Sequence, residues 1–172
     1  KFHIIAHSFG ALLALKLAGI IEASGMKGQL TLIDGSPEML ATIVRTHMIG
    51  KTESDFQNYV LGYLVTLMYQ NVDSRKKLEY LLTSETWHEK CEKTVDLLLE
   101  LGYKYGRDDM QCLLNAYYGR AFLLLSETEE TYNLIEKSPC MFIKPSDTTL
   151  EHQSETYELK KYFKNNVQVL SV

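Results

Sequence analysis

The chain opens on a mostly apolar run, Phe2 to His7, short and rich in β-branched residues. That pattern predicts a buried strand. After Ser8-Phe9-Gly10 the character changes. Ala11-Leu12-Leu13-Ala14-Leu15-Lys16-Leu17-Ala18 is made of good helix formers and predicts a helix over 10–23, closed near Ser24-Gly25. Gln29 to Ile33 predicts a second strand, which ends at Asp34-Gly35-Ser36-Pro37. Strand, helix and strand in so short a stretch form a βαβ unit and imply a parallel sheet. Active groups on such sheets gather at the carboxyl ends of the strands. Ser8 and Asp34 follow two consecutive strands and therefore share one edge.

From 37 to 137 the period becomes helical. Phe56, Tyr59, Val60, Tyr63, Leu64, Leu67 and Met68 recur at three- and four-residue spacing, as do Cys91, Val95, Leu98 and Leu99, and later Leu113, Leu114, Tyr117, Ala121, Leu124 and Leu125. Cys140 to Lys144 returns to a strand pattern, and Asn166 to Val172 is another. The expected organisation is a core segment over 1–36, a helical insertion over 37–137 that caps the active edge, and a return to core strands over 138–172. A strand needs pairing partners, and this sequence both opens and closes inside strand patterns. It is expected to be a piece of a longer polypeptide, one incomplete domain.

Composition narrows the classes. With 45% hydrophobic residues among 172, the chain can bury a core. Its net charge of −4 argues against a nucleic-acid surface and against charge-driven binding to acidic membranes. Cys91, Cys112 and Cys140 are scattered, with no CxxC pair, and read as reduced thiols of an intracellular, cytoplasmic protein. They suggest neither a disulfide frame nor a metal site. No signal peptide and no long apolar span is present.

The candidate chemistry lies in Ala6-His7-Ser8-Phe9-Gly10. A serine between a strand and a helix, with small residues two positions to either side, has the pattern of a nucleophile elbow. Ala6 stands where such turns usually carry glycine. The sharp turn would hold Ser8 clear of the sheet, and the backbone N–H of Phe9 would serve as an oxyanion-hole donor. A serine hydroxyl needs a base, and the base needs a carboxylate to orient it. Asp34 and Asp147 both follow strands, and spacing alone does not choose between them. In an α/β-hydrolase the histidine follows the last strand. Of the five histidines, His3 lies too far back in the strand and His7 points away from the turn beside Ser8. His47 and His88 fall in the helical region, whereas His152 lies in a loop beyond a strand. The expected base lies just after the final strand, beyond Val172.

These segments resemble the thioesterase domain of animal (type I) fatty acid synthase. The likeness rests on Ala6 to Gly10, on Leu30-Thr31-Leu32-Ile33-Asp34-Gly35-Ser36-Pro37, on the long helical insertion and, more weakly, on Cys140 to Lys144 and Tyr157-Glu158-Leu159 leading to Val167–Val172. It covers the middle of such a domain. The resemblance implies a partial α/β-hydrolase fold, a parallel sheet with a large helical insertion. It implies Ser8 as nucleophile and Asp34, rather than Asp147, as the acid of a Ser-His-Asp triad. The implied reaction is hydrolysis of a long-chain acyl thioester, carried on the phosphopantetheine arm of acyl carrier protein, to a free fatty acid. No cofactor or metal of its own is implied. The carrier domain of the same polypeptide is the expected partner, with a homodimer formed through the synthase. Without its histidine the piece alone is expected to be inactive. A lipase, a carboxylesterase or a non-catalytic fragment are the alternatives.

Overall fold

A computed structural model of the chain describes residues 1–47, 50, 52–68, 84–126, 132–146 and 156–172. Four strands, β1 (Phe2–His7), β2 (Gly28–Ile33), β3 (Cys140–Lys144) and β4 (Val167–Ser171), form one parallel sheet in the order β1-β2-β3-β4. Its register pairs His7 with Ile33, Ile33 with Ile143, and Ile143 with Leu170. Because every strand runs the same way, Ser8, Asp34 and Pro145 all emerge at one rim.

The chain divides into two compact units, 1–42 with 126–172, and 43–125. In the first, helix α1 (Gly10–Ala23) buries Ala11, Leu12, Ala14, Leu15 and Ala18. The small residues among these allow close approach to the sheet, whose Leu30, Leu32 and Phe142 are fully enclosed. The helix ends as its sequence predicts, with Ser24 at the cap and Gly25 at φ +87°. The strand β1 is less covered than expected. Its residues alternate between half-buried and exposed, and Ile5 is 65% exposed. Side chains alternate between faces along a strand, and the face that carries His3, Ile5 and His7 is exposed, so little among the described residues covers it.

Glu22, in the last turn of α1, is the unit's main polar tie. Its carboxylate accepts the backbone N–H groups of Glu136 at 2.9 Å, Lys137 at 3.2 Å and Ser138 at 2.7 Å. Ser138 in turn accepts the N–H of Gly28 through its hydroxyl at 3.0 Å. Burial would raise the carboxyl pKa, but the bonds from Ser138, Glu136 and Lys137 outweigh it and hold the group below its usual range.

The second unit contains α3 (Glu53–Met68), α4 (Trp87–Glu100) and α5 (Arg107–Ser126), and α2 (Pro37–His47) leads into it. Leu61, Leu64, Val65, Val95, Leu98, Met110 and Leu114 make its core. Helix α4 starts on a capping box, Thr86 with Glu89. Lys90 is fully enclosed, yet its ammonium has three acceptors: Ser54 Oγ at 2.7 Å, Gln57 Oε1 at 3.1 Å and the Ser54 carbonyl at 3.2 Å. Three donors meeting three acceptors offset the desolvation of a buried cation. Among the described residues no helix is long and apolar enough to cross a membrane.

Candidate active site

Two strand ends define the site. Ser8 follows β1 with φ 52°, and Asp34 follows β2 with φ 45°. Left-handed backbone is unfavourable for a residue with a side chain, by about 1–2 kcal/mol, though aspartate tolerates it better than most. Both residues are held there by the sheet. Ser8 N–H donates to Ile33 O at 2.9 Å, and Asp34 N–H donates to Ile143 O at 2.8 Å. Ser8 is thus fastened to the last residue of β2 and Asp34 to the penultimate residue of β3, each on the neighbouring strand, in a staircase of the same step. Both residues are half-buried.

The helix begins as soon as the turn is complete. Ser8 O accepts the N–H of Ala11 at 3.0 Å, and Phe9 O accepts that of Leu12 at 3.2 Å. Phe9 stands at the cap position with a side chain that cannot cap, and the first turn of α1 has no acidic residue. A phenylalanine there sacrifices the stability that serine or aspartate would give. It leaves the positive end of the helix dipole uncompensated by a carboxylate next to Ser8. The alanine at position 6 fits this geometry, since a Cβ built on Gly10 would still sit 3.6 Å from the Ala6 methyl.

The Asp34 turn is braced on its far side. Ser36 is completely buried and accepts the Met39 N–H through its hydroxyl at 3.0 Å, capping α2 just before Pro37 at the first helical position. Glu38 pairs with Lys161 at 2.6 Å and accepts the hydroxyl of Tyr162. The short helical turn Leu159–Tyr162 is thereby anchored to the residues that follow Asp34. Gly35 is buried and lies directly against Ser8: a Cβ built on it would come within 2.3 Å of Ser8 O.

The structure therefore brings Ser8, Phe9 and Asp34 to one rim. Asp147 and His152 lie outside the described residues, and the side chain of His47 is likewise not described. His3 shares a hydrogen bond with Thr31 Oγ1 at 3.0 Å, and His88 meets Gln111 in the helical unit. His7 is exposed. Among the described residues no histidine ring bonds the Ser8 hydroxyl or the Asp34 carboxylate, and no cluster of three or more His, Cys, Asp or Glu suits a metal. The three cysteines are free thiols. Burial pushes Cys91 and Cys140 up to about 12, which makes both poor nucleophiles. Sequence reasoning did not single out Gly35, Glu22 or Lys90. Glu22 alone left a trace, as a carboxylate in the last turn of a helix, where the dipole disfavours it.

The helical unit has a pocket of its own. It has a volume of about 670 Å³ and is lined chiefly by Leu64, Met68, Tyr103, Met110 and Leu113, with Asp109 among them.

A parallel sheet with a βαβ start, a serine at the first strand-to-helix turn and a helical unit before β3 is a fold of the α/β-hydrolase type. Known structures agree with it. The chain is similar to the wild-type Vlm2 thioesterase domain, with a TM-score of 0.55 and 16% identity over 99% of this chain and 59% of that one. It is similar too to the Vlm2 thioesterase domain with genetically encoded 2,3-diaminopropionic acid bound with a dodecadepsipeptide, with a TM-score of 0.51, 15% identity, and coverage of 99% and 60%. The chain spans about three-fifths of the length of those neighbours. At such identity the likeness is one of fold. No protein-family model matches the sequence, and no curated protein matches it.

Proposed function

We propose that the chain belongs to a thioesterase that hydrolyses long-chain acyl thioesters, as the thioesterase domain of animal fatty acid synthase does. The observation that carries this reading is the left-handed Ser8 at the strand-to-helix turn, beside the left-handed Asp34 on the same rim. In this reading Ser8 Oγ attacks the thioester carbonyl while its proton passes to a histidine outside the described residues. Asp34 orients that histidine and stabilises its charged form. The Phe9 N–H and the start of α1 stabilise the oxyanion. The thiol of the phosphopantetheine arm leaves with the proton, and water then releases the fatty acid from Ser8.

The same reading makes the helical unit a cap, the acyl carrier protein domain of the same polypeptide the partner, and the cytoplasm the location. It includes a homodimer formed through the synthase and no cofactor of the domain's own. The test uses the full-length polypeptide with a fluorophosphonate probe and with palmitoyl-pantetheine. Labelling should map to Ser8, free thiol should appear, and Ser8→Ala should abolish both. Labelling of another serine, or hydrolysis that survives Ser8→Ala, refutes the reading. Preference for oxygen esters over thioesters would make the protein a lipase or carboxylesterase instead.

A further inference from the structure

We infer that Gly35 is a positioning residue that sets the place of the Ser8–Phe9 peptide, and through it the efficiency of acylation, an inference that rests on the serine-hydrolase reading above. A Cβ on Gly35 would lie 2.3 Å from Ser8 O, 2.8 Å from Ser8 Cα and 2.9 Å from Ser8 C. All three are backbone atoms, so no rotation of a side chain relieves the overlap. The backbone of Gly35 is not left-handed, unlike that of Gly25 and Gly102. Space alone, and not conformation, demands glycine here.

The atom in the way belongs to a rigid plane. Ser8 C and O share one peptide group with the Phe9 N–H, so pushing the carbonyl also turns the N–H. That carbonyl accepts the Ala11 N–H at 3.0 Å and opens the first turn of α1, while Ser8 N–H is fixed to Ile33 O at 2.9 Å. A methyl group at 35 therefore presses on the peptide that carries the candidate oxyanion donor and on the residue that carries the nucleophile. The acid turn and the nucleophile turn are in backbone contact, and Gly35 is where they touch.

The experiment compares Gly35→Ala with Gly62→Ala in the full-length polypeptide. Gly62 lies within α3, and a Cβ there meets nothing within 4 Å. Gly35→Ala is expected to lower kcat about 100-fold with KM nearly unchanged. A trifluoromethyl ketone analogue of the thioester should bind more weakly by a similar factor. The amide resonances of Phe9 and Ala11 should move in Gly35→Ala and stay in place in Gly62→Ala. Unmoved amides overturn the inference whatever the activity, and moved amides with an unchanged kcat overturn it as well. A wild-type protein without hydrolysis would instead defeat the hydrolase reading, while the amides still decide the contact. Should Gly35→Ala fail to fold, Ser8→Gly is added to let that backbone relax. Recovery of folding in the double variant supports direct contact, and no recovery overturns it.

Discussion

Replacing Glu22 tests the tie that joins α1 to the approach to β3. Its carboxylate accepts three backbone N–H groups, from Glu136, Lys137 and Ser138. Residues 136 and 137 are exposed, so water can replace the carboxylate at their amides, whereas Ser138 is fully buried. A hydrogen bond to a charged group contributes about 1.5–3 kcal/mol, and an unmet buried donor costs about 1–3 kcal/mol. Glu22→Ala should therefore destabilise the protein by about 2–3 kcal/mol, carried mainly by Ser138. For a chain of this size that is a fall of about 5–10 °C in Tm. Glu22→Gln keeps one acceptor oxygen and should lose less.

The pH dependence has a fixed sign. The folded pKa of Glu22 lies below its ordinary value of 4.5. Its contribution is thus fully present above that value and fades as the pH falls through the folded pKa, where the native carboxylate finally takes up a proton. Thermal melts from pH 7 to pH 3 should show the gap between wild type and Glu22→Gln constant above 4.5 and narrowing as the pH falls below that value. A gap that stays constant down to pH 3, or a Glu22→Ala melt that coincides with wild type, refutes this account of the tie.

Three other outcomes are expected. Asp34→Asn should cut thioester turnover by about 10²–10⁴-fold, while Asp147→Asn leaves it near wild type; kinetics on the full-length polypeptide ranks them, and the reverse order would reassign the acid. Lys90→Ala should destabilise the helical unit by about 2–4 kcal/mol in denaturant titration, because it leaves a cavity and removes the donor from Ser54 and Gln57. In the native protein a thiol reagent at neutral pH should modify the exposed Cys112 and spare Cys91 and Cys140, whose thiols are buried, until denaturant is added.

The regular elements were legible because their signals are local. Ile4 and Ile5 before Ser8, the helix formers from Ala11 to Ala18 and the glycine at 25 mark β1, α1 and its end without any knowledge of partners. The strands at 28–33, 140–144 and 167–171 likewise agree with the expected runs to within about two residues. Exposure was not legible in the same way. The run Phe2–His7 looks buried in isolation, but how much of Ile5 is covered depends on what lies over its face of β1, which no neighbouring residue encodes. The polar ties were hidden for a similar reason. Glu22 finds its donors at 136–138, and Lys90 finds its acceptors at 54 and 57, far along the chain in both cases. Of the candidate site, the pattern around Ser8 and the Asp34 turn pointed to the shared rim. The packing of Gly35 on Ser8 is a backbone contact between two turns that are distant in the sequence, and letters do not carry that.

The staircase of turn bonds has a consequence for synthesis. Ser8 is fastened through Ile33, and Asp34 in turn through Ile143. The stretch between those last two residues contains the entire 43–125 unit. A ribosome must therefore translate that whole insertion before the second fastening can close, and joining residues so distant is slow. While residues 34–143 are being made, the first turn already has the strand residue that fastens it and the second does not.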